Sequence, residues 1–321
     1  MGALVLGACG GDGDEPAQDL SLRVSDFSVA VPNLSPTGFF IGEIDASASN
    51  GGQLTFELVS ESVPGALSIG ANDGQILVAR GSLFDHEQNE VINATVEVST
   101  GDVVSAASIS IVIDELTDFQ QRTIEYFKEV ALGFEIGGAS QITRKWREPL
   151  RAFVMGAPTE ENTNELELIL GELEELITDG FEIEIVDSRE QSNFVMFFGS
   201  GQAYANLFPE ASAFITNSTG LFFVSWDSEN YLKEGHMFVD TQRTTSELQR
   251  HIVREELTQS LGLARDSELY ENSIFQQRVS TVTEYAEIDR ELIRLLYHPD
   301  MTSGLNATEV EEVLRGILLG D

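Results

Sequence analysis

The stretch His251-Ile-Val-Arg-Glu-Glu-Leu-Thr-Gln-Ser-Leu-Gly-Leu-Ala-Arg-Asp266 decides how this chain is read. Four-residue steps place His251, Glu255 and Gln259 on one face of a helix, with Glu256 about 100° round from Glu255. Gly262 follows the periodic run, where a glycine commonly turns the chain out of a helix. Carboxylates buried together split their pKa values and can serve as an acid and base pair, which makes Glu255 and Glu256 candidate catalytic residues. Adjacent helical positions diverge, whereas residues four apart meet. Gln259 is therefore expected to hydrogen-bond Glu255 across one turn.

The segments around this helix describe a mixed domain over residues 118–321. A helix is expected from Asp118 to Leu132, opened by a capping aspartate, and an acidic amphipathic helix from Asn164 to Thr178. Strands are expected at Leu150–Met155, Phe181–Val186, Asn193–Phe198, Gly220–Trp226 and Gly235–Asp240, the last leading into the helix that starts near Thr244. No G-x-S-x-G, P-loop or G-x-G-x-x-G occurs, so serine-nucleophile chemistry and nucleotide binding have no motif to stand on.

Strand, helix, strands and then a site helix is the order of a zincin, a metallopeptidase-type α+β domain. The site helix resembles the metzincin pattern H-E-x-x-H-x-x-G-x-x-H with its histidines replaced. In that frame Glu255, Gln259 and Arg265 stand at the three ligand positions, Glu256 at the general base and Gly262 at the turn. Ser273-Ile-Phe275 stands where metzincins carry the turn beneath the metal, and Val282 to Pro299, with Asp289-Arg-Glu-Leu-Ile-Arg-Leu-Leu-Tyr297, resembles the closing helix. The chain is similar to a family of zincin-like domains whose own helix reads E-E-x-T-Q. The resemblance implies a frame without catalytic zinc, because such zinc normally has three protein ligands rich in His. A remaining metal set is His251 and Glu255 with His236, which precedes the helix on a strand.

Residues 20–117 read differently. Short alternating runs at Phe27–Val31, Gly38–Ile44, Leu54–Leu58, Gln75–Val78, Asn93–Val98 and Ser108–Ile113 are broken by Asn-Gly-Gly, Asn-Asp-Gly and Thr-Gly-Asp turns, and only Arg23 and Arg80 are basic. This is the signature of an all-β, immunoglobulin-like sandwich. Ile69-Gly-Ala-Asn-Asp-Gly-Gln-Ile-Leu-Val78 followed by Phe84-Asp-His-Glu87 resembles a cadherin repeat. That resemblance makes Asp85, Glu87 and Asp114 candidate Ca²⁺ ligands. The chain departs from the cadherin pattern at Ala46-Ser-Ala-Ser-Asn50 and Asp114-Glu-Leu-Thr-Asp118, where the Asp-rich loop and linker are reduced.

The chain has 18 Lys and Arg against 54 Asp and Glu, a formal net charge of −36, so nucleic acid is not an expected partner. Its lone cysteine, Cys9, excludes a disulfide framework. Leu6-Gly-Ala-Cys9 is similar to the lipobox at which a signal peptide is cut and the cysteine lipidated. Residues 1–9 then form a truncated lipoprotein signal, and 10–19 an acidic, Gly-rich flexible tether. These features lead to an extracytoplasmic lipoprotein anchored to a bacterial membrane, at the outer membrane or the periplasmic face, that binds an envelope protein or peptide. Two alternatives stay open: a hydrolase working through Glu255, Glu256 and Gln259, and a calcium-dependent adhesion module. The sequence does not give an oligomeric state.

Overall fold

Period-two alternation builds the first part of the chain, and the second mixes it with helices of period 3.6. The computed structural model describes residues 20–135, 138–278 and 280–320. Cys9 and the tether at 10–19 lie outside them. The chain forms two compact units, Met1–Asp118 and Phe119–Asp321. Among the described residues no helix is long and apolar enough to cross a membrane.

Among the described residues the first unit carries nine strands: β1 Leu22–Val24, β2 Phe27–Asn33, β3 Phe40–Glu43, β4 Ala46–Ala48, β5 Thr55–Glu61, β6 Leu67–Ile69, β7 Gln75–Val78, β8 Val91–Thr100 and β9 Val103–Thr117. They pair as a four-stranded sheet β2-β9-β8-β5, a three-stranded sheet β3-β7-β6 and a β1-β4 ribbon. The inward positions of β8, Ile92, Ala94, Val96 and Val98, share one core with Ile41, Phe56, Ile76, Phe84 and Ile111. Residues between them on β8 face outward, so the alternation read in the sequence is the burial pattern of the strand.

The second unit holds α1 Asp118–Ala131, β10 Leu150–Gly156, α2 Glu160–Leu176, β11 Ile183–Ile185, β12 Phe194–Gly199, α3 Gly201–Leu207, β13 Gly220–Trp226, β14 Leu232–Asp240, α4 Ser246–Ser260, α5 Glu287–Leu296 and α6 Ala307–Leu319. Its sheet runs β11-β10-β12-β14-β13. Every pairing is parallel except β13 with β14, so β13 is an antiparallel edge strand. Phe194-Val-Met-Phe-Phe198 is buried at every position, as a central parallel strand covered on both faces must be. On one face Phe197 and Phe238 pack against Tyr204 and Phe208. Strand alternation turns Met237 and Val239 to the opposite face, where α4 lies against β13 and β14.

Helix α4 is polar for a buried element, and its buried arginine is matched within the unit. Arg254 donates to Glu165 Oε1 on α2 through Nη2 at 2.7 Å and Nε at 3.1 Å, and also bonds Glu172. Arg290 of α5 meets Glu172 at 2.5 Å, so one ion network ties three helices. Thr245 caps α4 by accepting the Leu248 N–H at 3.3 Å, a contribution of about 1 kcal/mol. The other end is pinned by tertiary bonds: Trp146 Nε1 donates to the Ser260 carbonyl at 2.9 Å and Tyr297 Oη to that of Leu261 at 2.8 Å.

Candidate functional site

Along α4, His251, Ile252, Glu255, Glu256 and Gln259 line a cleft of about 810 Å³, and β13 from Gly220 to Trp226 forms much of its other wall. Phe134, Glu135, Phe214, Asp266 and Gln276 to Arg278 complete it. Strand and helix approach closely at Gly220. A Cβ there would overlap Glu256 Oε1 and Ile252 Cγ2, so only glycine lets β13 pass over the carboxyl. At one end Phe134 stacks on Trp226, centroids 5.4 Å apart and planes 9° from parallel, with the Arg144 guanidinium 4.2 Å from the Trp226 ring centre.

The helix brings the sequence-predicted residues to one cleft, but their partners differ from expectation. His251 Nδ1 lies 2.7 Å from the Val282 carbonyl, so this nitrogen carries the proton and donates. Its Nε2 lies 3.4 Å from Glu255 Oε2. Burial pulls the imidazole pKa down, but the Glu255 carboxylate and the Val282 carbonyl outweigh it and hold His251 above its ordinary value. Gln259 does not bond Glu255. Its Nε2 donates to Asp266 Oδ1 at 2.6 Å, because the chain after α4 returns toward the helix.

That return also displaces the third ligand position. Gly262 has φ +121°, and a Cβ on it would overlap the Arg144 carbonyl oxygen. The chain leaves the helix there in a conformation open to glycine. Arg265 donates its backbone N–H to the Val130 carbonyl at 3.2 Å and makes no ion pair among the described residues. Asp266, one residue further on, lines the cleft in its place, and its backbone N–H donates to Glu135 Oε1 at 3.2 Å. Burial and the charges of Glu255 and Glu135 push the Asp266 carboxyl up to about 7. Glu256 is 7% exposed, and burial followed by the charges of Glu255, Asp266 and Glu135 raises it well above the carboxylate range.

The metal set of His251, Glu255 and His236 is not assembled. His236, on β14, is held at Nδ1 by Tyr204 Oη at 2.5 Å and at Nε2 by Glu210 Oε1 at 3.0 Å, and it stacks on Phe208 at 3.8 Å. Both of its nitrogens are committed away from Glu255. Among the described residues no three His, Cys, Asp or Glu converge to hold a metal. The cleft donors therefore do not fit a zinc site: its single imidazole is engaged on both nitrogens, and the Gln259 amide nitrogen is bonded to Asp266.

The turn at Ser273-Ile-Phe275 is fastened by hydrogen bonds. Ser273 Oγ bonds Tyr126 Oη at 2.7 Å and donates to Asp289 Oδ1 at 2.6 Å. Asp289 Oδ2 accepts the backbone N–H groups of Ile274 and Ala286. Burial raises this fully enclosed carboxyl to about 6 despite those bonds.

In the first unit, Asp85 closes its own loop. Oδ1 accepts the Glu87 N–H at 3.1 Å, and Oδ2 accepts from the Gln88 side chain. Asp114 Oδ1 accepts the Leu116 N–H at 3.0 Å. His86 between the acids reaches the Ile113 carbonyl at 2.7 Å. The three expected Ca²⁺ ligands thus sit on the loop before β8 and near the end of β9, with Asp85 and Asp114 already accepting local bonds.

Glu135, Trp226 and Asp266 escaped the sequence reading. Asp266 closes the opening motif, but only the turn at Gly262 gives it a role. Glu135 sits in a loop 131 positions away from it and belongs to no motif.

A model of the family described as protein of unknown function (DUF2927) matches residues 120–316. No curated protein matches the chain. Among solved structures, the protocadherin GammaB4 extracellular domain is 22% identical, covering 30% of this chain and 17% of that one at a TM-score of 0.27. The human desmocollin-1 ectodomain is 17% identical over 30% of this chain and 20% of its own, TM-score 0.28. Drosophila N-cadherin EC1-4 is 18% identical over 28% and 23%, TM-score 0.26. The chain thus spans 17 to 23% of the length of these three relatives.

Proposed function

The chain belongs to the family described as protein of unknown function (DUF2927), and from that premise we propose that its second unit is a zincin-like domain that binds an extended peptide segment without zinc. The segment adds to the outer edge of β13 and lies over the carboxyls of α4. One observation carries this reading: the edge strand, paired on one side only, forms a wall of the 810 Å³ cleft opposite Glu256. An exposed strand edge beside a cleft is the template for peptide capture by strand addition. The order of the sheet, with its one antiparallel edge strand beside the site helix, supports the zincin-like assignment. We place the chain outside the cytoplasm, anchored through lipid on Cys9, with the cadherin-like unit as spacer and the ligand drawn from envelope proteins.

The test is to pan the purified chain against displayed randomised short peptides and to follow hydrogen exchange. Binders are expected to slow exchange of the amides in Gly220–Trp226. Failure to select any binder, or binders that leave β13 unprotected, would sink the proposal.

A second reading, hydrolysis of the captured segment without metal, is favoured by the upward displacement of two cleft carboxyls, Glu256 and Asp266. Carboxyls whose proton affinity is raised by burial and by neighbouring acids are suited to acid and base work. Cleavage of selected peptides that disappears in Glu256→Gln would establish it, and intact peptides after long incubation would remove it.

A further inference from the structure

Among the described residues of the second unit four acids are buried: Glu165, Asp240, Glu256 and Asp289. Three are matched. Glu165 bonds Arg254, Asp240 bonds Arg243 Nε and the backbone at Gln242 and Arg243, and Asp289 accepts from Ser273, Ile274 and Ala286. Glu256, 7% exposed, has no hydrogen bond or ion pair among the described residues, and it lines the cleft. Its carboxyl oxygens keep their exposure to the cleft and have no protein donor, so a partner would meet them from the cleft side.

The surroundings define what that partner is. Glu135, Glu255 and Asp266 line the same cleft, whereas its basic residues are His251, already set against Glu255, and the exposed Arg278. These carboxyls do not converge on a point as metal ligands do. Spread along a groove, they suit a cation that carries several donors, and the apolar lining of Ile252, Ala264 and Phe222 suits a methylene stem. Gly220 brings the edge strand directly over Glu256, so a segment paired with β13 holds its side chains at the carboxyl.

We propose that the cleft at Glu256 is a receptor for one cationic side chain, a Lys ammonium or Arg guanidinium, of the peptide that adds to β13. The inference rests on the strand-addition reading and names the residue that anchors it. Glu256 supplies the charge-assisted bond at the base of the groove, and Asp266, Glu255 and Glu135 supply the negative field around it. Burial and the neighbouring acids raise the proton affinity of Glu256 and Asp266 in the free protein, and a cation held beside them lowers it again. Binding of the cation therefore favours loss of a proton from the cleft.

Selected peptides provide the experiment. Lys or Arg should recur at one position, and replacing that residue with norleucine should weaken binding at least tenfold in the wild-type chain. Calorimetry near neutral pH in buffers of different ionisation heat should show proton release with the Lys peptide and much less with the norleucine peptide. Glu256→Gln, nearly isosteric, should bring the Lys and norleucine peptides to equal affinity, and its unfolding curve reports that it is folded. Selected peptides without a recurrent cation, or equal affinity for the Lys and norleucine peptides, would overturn the inference and leave strand addition standing. Failure of every peptide to bind along β13 would overturn both.

Discussion

Asp266→Asn should stabilise the protein, and only at neutral to alkaline pH. The displacement of this carboxyl from 3.8 to about 7 corresponds to about 4 kcal/mol, at about 1.36 kcal/mol for each tenfold change in proton affinity. Asp266 is half-buried, and solvent screening reduces that figure to about 2 kcal/mol. The sign follows from proton linkage. The native state keeps the proton up to about 7 whereas the unfolded chain loses it near 3.8, so this residue's favourable contribution is full below pH 4 and is lost as pH rises through 7. Asparagine is neutral throughout, and its side-chain oxygen still accepts from Gln259. The variant should match wild type at pH 4 and exceed it by about 2 kcal/mol at pH 8, or about 4–8 °C in Tm for a unit of this size. Urea unfolding or calorimetry at the two pH values measures the difference. Glu271→Gln on the exposed surface serves as a control for simple loss of negative charge and should move little at either pH. A difference that is equal at both pH values, or a variant less stable than wild type at pH 8, would refute the reasoning.

Gly262→Ala should lose at least 3 kcal/mol or fail to fold, since the added methyl overlaps the Arg144 carbonyl and the φ of +121° disfavours any side chain; a Tm within 3 °C of wild type would contradict this. Arg254→Met should cost about 3 kcal/mol by leaving buried Glu165 with only its 3.9 Å contact to Arg250, and the loss should shrink in the double variant Arg254→Met with Glu165→Leu, as chemical denaturation can measure.

Strong periodicity was legible in this chain, and special local geometry was not. The strands at Gln75–Val78 and Asn93–Val98 follow from apolar alternation, and that at Gly220–Trp226 from a short apolar, aromatic run. Ala46-Ser-Ala48 has no such signal: its residues are weak strand formers, and pairing with β1 makes it β4. Helix α2 begins at Glu160 rather than Asn164 because Thr159 and Asn162 form a capping box in which an amide replaces the usual Glu or Gln. Helix α5 begins at Glu287 because Asp289 returns a bond to the Ala286 N–H, which fixes the start later than apolar spacing from Val282 suggested. At the site, helical spacing alone placed His251, Glu255, Glu256 and Gln259 in one cleft. The position of Asp266 depends on a backbone angle at Gly262, and that of Glu135 on a loop folded against the helix end. Neither is encoded in local pattern.

The fastening of the α4 end and the Ser273 turn bears on the order of assembly during synthesis. Their partners are distant in the chain: Trp146 is 114 positions from Ser260, Tyr126 is 147 from Ser273, and Tyr297 is 36 beyond Leu261. Thr143, beside the same end, is bonded to Leu305 across 162 positions. Closing such long loops is entropically slow and rewards the chain only once both ends are present. The end of α4 therefore cannot be fully fastened on a ribosome-bound chain until α5 and the Leu305 loop have emerged. A nascent chain stalled after α4 would already hold β13 and β14 beside that helix but would lack α5 and the Ser273 turn that fasten it, in a form more exposed to proteolysis.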